Sequence, residues 1–250
     1  MASIHTKEFT SWDDLSKFID DTFTFFHHFS FRGHANNEWK LESTLTRAIN
    51  NKKKNGNVEE LVKDHIENFK HNLRGRSKQD LNEISDNELF AIGQHFGLYT
   101  PLLDLTESPY VGLFFALQGE SSSGKRCLWA FSDSIIKDFK LKKNKFANKV
   151  EIIKPISNNN PRLVSQQGLF MKLPVESSLE EIIKKTADTS DGVGVFKIIF
   201  DDNIRNDALA VLNNMNINNL TLFPDLIGSS QHSNYVLDIE EHLTTKRAGI

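Results

Sequence analysis

Five polar side chains interrupt one apolar run at spacings that suit a ligand site. From Ala91 to Leu117 the chain carries Gln94, His95, Asp104, Thr106 and Ser108 among hydrophobic neighbours. Burying such groups unpartnered costs roughly 1–3 kcal/mol each, so they form either a satisfied structural network or a site. His95 has the chemistry of a general base, a ligand donor or a packing residue, and a lone His near a helix C-terminus is more often structural. Asp104 has two readings: it orients His95, as carboxylates commonly orient imidazoles, or it caps the next turn. Thr106 and Ser108 offer hydroxyls for ribose or phosphate contacts, and also for capping a helix that starts at Pro109. That helix N-terminus brings free backbone N–H groups to the cluster, an arrangement that favours an anion.

Upstream, Arg32 stands between Phe31 and Gly33. Its planar guanidinium can hold phosphate bidentately, and Gly33 would let a ligand approach the backbone. A surface ion pair at a strand end is the plainer alternative. Downstream, Gln166 and Gln167 precede Gly168 and an apolar strand, and form either a site edge or an ordinary strand start. Lys137, Lys140, Lys142, Lys143, Lys145 and Lys149, interleaved with Phe139 and Phe146, read as a solvated surface or a groove for nucleic acid. Adjacent His27 and His28 would point about 100° apart on a helix, and no metal-site spacing is found.

Periodicity supplies the elements that must hold these residues. Helical spacing is predicted over 8–28 (starting at Ser11), 41–50, 58–73, 88–96, 110–117, 178–186 and 205–215. Strands are predicted over 29–33 (ending in a turn), 126–131, 150–153, 168–173 and 194–200. Polar loops are expected over 50–57 and 74–85, a turn at 121–124, and a frayed end from Thr244 to Ile250, while 226–239 is ambiguous. The class is α+β in one domain, with a helical first half and a strand-rich second half.

With 38% hydrophobic and 25% charged residues in 250, the chain can bury one sizeable core. A net charge of −3 argues against a broad nucleic-acid surface. The lone Cys127 excludes an internal disulfide and fits a reducing compartment. Neither a signal peptide nor a run of 18 apolar residues is visible, so a cytoplasmic protein without a membrane span is expected.

Gln94-His-Phe-Gly97, Thr100-Pro-Leu-Leu-Asp-Leu-Thr-Glu-Ser-Pro109 and Leu113-Phe-Phe-Ala116 resemble the FRG domain family, named for a Phe-Arg-Gly motif. Phe31-Arg-Gly33 lies in the expected place, and Trp39-Lys-Leu-Glu-Ser-Thr-Leu-Thr-Arg47 follows without the family's proline. Pro161-Arg-Leu-Val-Ser-Gln-Gln-Gly-Leu-Phe170 and Leu222-Phe-Pro-Asp-Leu226 also fit, while Leu105 stands where the family often has Trp. The resemblance spans about residues 10–230, leaving 231–250 as a tail. It implies a bacterial or phage-associated protein in a toxin-like, antiviral defence context, with a neutralising partner protein among its expected contacts.

The order of elements is also similar to the ADP-ribosyltransferase layout. That mapping implies NAD as cofactor and a macromolecular acceptor, protein or nucleic acid. Arg32 would hold a cofactor phosphate beside Gly33 and Gln94, and Thr106 and Ser108 would support the nicotinamide ribose. Gln167 would stand where a catalytic Glu belongs. An amide neither stabilises an oxocarbenium ion nor activates a nucleophile well, so either another carboxylate such as Asp104 takes the role, or the mapping is shifted, or the fold binds a nucleotide without this chemistry; His95, Asp104 and Gln167 are the candidate catalytic residues. The alternatives are a non-catalytic nucleotide-sensing or protein-interaction module, and a nuclease using His95 and Arg32.

Overall fold

The computed structural model describes residues 4–25, 28–51, 57–76, 80–81, 83–133, 149–155, 161–186 and 194–248. Seven strands form one mixed sheet in the order β1-β7-β4-β2-β3-β6-β5. They are β1 (Ile4–Phe9), β2 (Phe29–His34), β3 (Leu102–Thr106), β4 (Lys125–Ser132), β5 (Glu151–Ile153), β6 (Gly168–Lys172) and β7 (Val195–Asp201). Only β1 and β7 pair in parallel. Ten helices accompany the sheet among the described residues, so the α+β class stands. Three of the strands, β1 to β3, lie in the half expected to be helical.

The first helices are α1 (Trp12–Phe23), α2 (Thr44–Asn51), α3 (Val58–Leu73), α4 (Asp86–His95) and α5 (Pro109–Ala116). Ser11 caps α1 by accepting from the Asp14 amide, and a Ser85/Glu88 capping box starts α4. The remaining helices are α6 (Pro161–Ser165), α7 (Leu179–Thr186), α8 (Arg205–Asn214), α9 (Asn219–Leu222) and α10 (Leu226–Ala248). The ambiguous 226–239 segment is helical, and the helix continues through the region expected to fray. The basic stretch through Lys145 and most of the 50–57 loop lie outside the described residues.

Alternation along β2 divides the Phe-Arg-Gly motif. Phe31 faces the core that α1 and α5 build on one side, where its ring meets Phe23 edge-on at 5.1 Å. Gly33 is not in a turn; it sits inside the strand against the backbone of α5. A Cβ at Gly33 would lie 2.2 Å from both the Ala116 nitrogen and the Gly112 oxygen. Gly112 completes the contact from the helix, where a Cβ would come 2.9 Å from Phe31 Cβ and Leu128 Cδ1. Gly33 thus clears space for a helix, a demand the sequence reading did not foresee.

Arg126 secures the far end of α5. Its side chain is 1% exposed, and it donates to the carbonyls of Ala116, Gln118 and Gly119. The first of these is the carbonyl of the helix's last residue, at its negative end, and the other two belong to the turn that follows. Asp202 receives the remaining Nε at 2.5 Å.

Gly33→Ala should therefore cost about 3 kcal/mol, the upper end for overpacking, because backbone on both sides resists displacement. Gly112→Ala should cost less, since its obstacles are side-chain carbons. Urea unfolding of the two variants checks the order, and equal stabilities would contradict it.

Candidate functional site

The sheet opens where β2 meets β3. Six residue pairs join β2 to β4, and five join β3 to β6, but β2 and β3 share only Phe31–Thr106. Beyond that pair the strands part, and Arg32 bridges the gap. Its Nη1 donates to the Asp104 backbone carbonyl at 2.8 Å, and its Nε donates to His34 Nε2 at 3.0 Å. The Asp104 carboxylate stands 3.6 Å from Nη1, longer than a hydrogen bond. Nη2 has no protein acceptor among the described residues. The Arg32 side chain is only 20% exposed, and burial, opposed by Asp104, pushes its pKa down.

A cavity of about 410 Å³ occupies this opening. Arg32, Gly33, Gln94, His95, Asp104 and Thr106 all line it. Its apolar walls come from Phe31, Leu105, Phe115, Phe170 and Phe223. Leu105, in the place of the expected Trp, is thus a wall residue.

The polar groups are tied together differently from the sequence expectation. Asp104 neither bonds His95 nor caps a turn; its Oδ1 accepts from Gln94 Nε2 at 2.5 Å. Gln94 in turn accepts from the Thr100 hydroxyl, which fixes the amide's orientation. Thr106 Oγ1 donates to the Gln166 carbonyl at 2.6 Å and accepts from the Ser108 amide at 3.1 Å. Ser108 caps α5 by accepting from the Val111 amide and does not line the cavity. The helix-cap reading therefore describes Ser108, while Thr106 joins a network at the cavity wall.

His95 is exposed at the end of α4, packed edge-on against Phe96. Partial burial and then the charge of Arg162 push its pKa down, against the pull of Asp225. Its imidazole is accordingly neutral at pH 7. Gln167 does not line the cavity. It adopts a left-handed backbone, φ 46°, and its carbonyl accepts from the Glu107 amide. The neighbouring Gln166 is the residue at the wall, its Nε2 donating to the Leu222 carbonyl at 3.0 Å. The site assignment of Gln167 is thus corrected by one position.

Two residues escaped the sequence reading. Arg162 on α6 lines the cavity, stacks 5.3 Å over the Phe223 ring and donates to Asp225. Its only sequence signal was the Pro-Arg-Leu motif before Gln166. His34 was missed because it lies just past the motif. It is 5% exposed and shares Arg32's face of β2. Because Nε2 accepts from a guanidinium, the imidazole must be neutral. Burial, followed by the charge of Arg32, holds its pKa down to about 3. Cys127, opposite His34 in the β2–β4 ladder, is buried, and that burial raises its thiol to about 12, so it is no nucleophile at neutral pH. Among the described residues no group of three or more His, Cys, Asp or Glu could hold a metal, and no helix is long and apolar enough to cross a membrane.

Residues 27–125 match the FRG domain family model, and an FRG domain is present there. No curated protein and no solved structure matches the chain. The matched stretch holds Arg32, Gln94, His95, Asp104 and Thr106, while Arg162, Gln166 and Phe223 close the cavity from outside it.

His34 makes stability pH-dependent. The folded pKa lies below the unfolded value of about 6.5, so the contribution is complete above that pH and declines as pH falls towards 3. Between pH 7 and pH 5 the loss from this group should be about 2 kcal/mol. His34→Gln retains an acceptor for Arg32 and should flatten that part of the profile. Urea midpoints of both proteins at the two pH values check it; parallel profiles would contradict it.

Proposed function

We propose that this cavity binds a phosphate-bearing nucleotide through Arg32, with NAD as the cofactor and ADP-ribosyl transfer to a macromolecule as the reaction. The observation that carries the reading is the electrostatic state of Arg32. Its two direct acceptors, a carbonyl and an imidazole, are neutral, and the nearest carboxylate is shared with Gln94. A largely buried guanidinium on a cavity wall, bonded to neutral acceptors, gains most from an anion. The phenylalanine walls suit an aromatic base or nicotinamide ring.

Asp104 is the one carboxylate among the described residues lining the cavity. In transfer, the bond between ribose and nicotinamide breaks and nicotinamide leaves with the bonding pair. Asp104 would stabilise the cation developing on the ribose. The acceptor's nucleophile then bonds to that carbon, and its proton passes to neutral His95. The toxin-like effector role in bacterial or phage defence, and an antagonist protein that restrains it, follow from the family resemblance.

Calorimetry with NAD and ATP tests the binding. Arg32→Ala should weaken binding about 10- to 100-fold, the value of one to two charged hydrogen bonds. Arg32→Lys should recover little of it, because it keeps the charge and loses the fork. If wild type binds neither nucleotide, or Arg32→Ala binds as tightly, the reading fails.

Asp104→Asn tests the chemistry separately. Its side chain is 66% exposed, so the melting temperature should hardly change. Transfer of label from NAD to macromolecule should fall by about 100-fold or more. Unchanged turnover would remove Asp104 from the reaction.

A further inference from the structure

The second guanidinium in the cavity is paired less well than it could be. Arg162 presents Nε and Nη2, two parallel donors suited to two oxygens. Both converge on one oxygen, Oδ2 of Asp225. The other oxygen, Oδ1, is committed elsewhere: it accepts from the Gly228 amide at 3.0 Å and caps α10. That amide and Arg162 together hold the Asp225 carboxyl below the usual range. Asp225 therefore cannot turn its second oxygen to Arg162 without uncapping the helix. Arg162 nonetheless lines the cavity, its guanidinium 5.3 Å over the Phe223 ring.

Arg162 and Arg32 reach the same cavity from different elements, α6 and β2, and each has a carboxylate beside it as a partial counter-charge. A ligand with two linked phosphates can offer one to each guanidinium. We infer that Arg162 is a second anion-binding residue of this site, and that with Arg32 it selects a ligand carrying a diphosphate, Asp225 occupying its fork when the cavity is empty. The inference rests on the nucleotide reading and adds to it the residue that holds the second phosphate. A second phosphate would supply the two oxygens that Asp225 cannot, and Asp225 would keep its bond to Gly228.

Calorimetry with ADP and AMP separates the possibilities. Wild type should bind ADP at least tenfold more tightly than AMP. Arg162→Met should bind AMP as wild type does and lose the preference for ADP. Asp225→Asn keeps a helix cap while removing the competing charge; it should bind ADP several-fold more tightly and leave AMP unchanged. This variant also covers the case in which Arg162→Met fails to fold. Equal affinity of wild type for ADP and AMP, or an intact preference in Arg162→Met, overturns the diphosphate inference and leaves the nucleotide reading standing. Failure of wild type to bind either nucleotide overturns both.

Discussion

Everything near the cavity is placed by one contact between backbones. At Gly33 and Gly112, β2 and α5 approach so closely that neither admits a side chain without displacement. The contact sets the height of α5 above the sheet and thus the position of Phe115 on the cavity wall. Arg126 then holds the helix's last carbonyl and the turn after it, so both the middle and the end of α5 are fixed. Phe31, Leu113, Phe114 and Leu128 fill the remaining space with apolar surface, the dominant favourable term in folding.

Against that rigid side stands a sheet that separates between β2 and β3. The separation costs ladder hydrogen bonds, and one carbonyl, that of Asp104, is satisfied by the side chain of Arg32. One guanidinium on the cavity wall thus settles a structural debt of the sheet. His34 serves the same group from within the strand, and only while it stays neutral. The arrangement concentrates positive charge at the opening, with Asp104 and Asp225 tempering it from two directions.

Much of this was legible from the chain. Helical periodicity located α3 fully, because its apolar positions form one unbroken stripe. Strands β4, β6 and β7 were visible as apolar runs bounded by turns. β3 was not read as a strand, because Asp104 breaks its hydrophobic pattern for the sake of the cavity. β1 was missed because an edge strand with Thr6, Lys7 and Glu8 exposed carries a weak apolar signal. The gathering of Arg32, Gln94, His95, Asp104 and Thr106 followed from their polarity within apolar segments. Their pairing did not, since it depends on where the two strands diverge. Arg162 and His34 were obscured for the same reason: ordinary residue types acquire their meaning from burial and neighbours that only the fold supplies. Gln166 rather than Gln167 lines the cavity, and the left-handed backbone at Gln167 carries no signal in the sequence pattern.

The parallel pairing of β1 with β7 carries a consequence for how the chain is made. Ile4 lies opposite Val195, about 190 positions later. At roughly 5–20 residues per second, a ribosome needs on the order of ten to forty seconds to produce the partner strand. Throughout that interval β1 has no neighbour, and its closure then has to meet the entropy of a very long loop. Of the seven strands β1 is therefore among the last to dock, and that edge of the sheet is finished only once β7 has emerged.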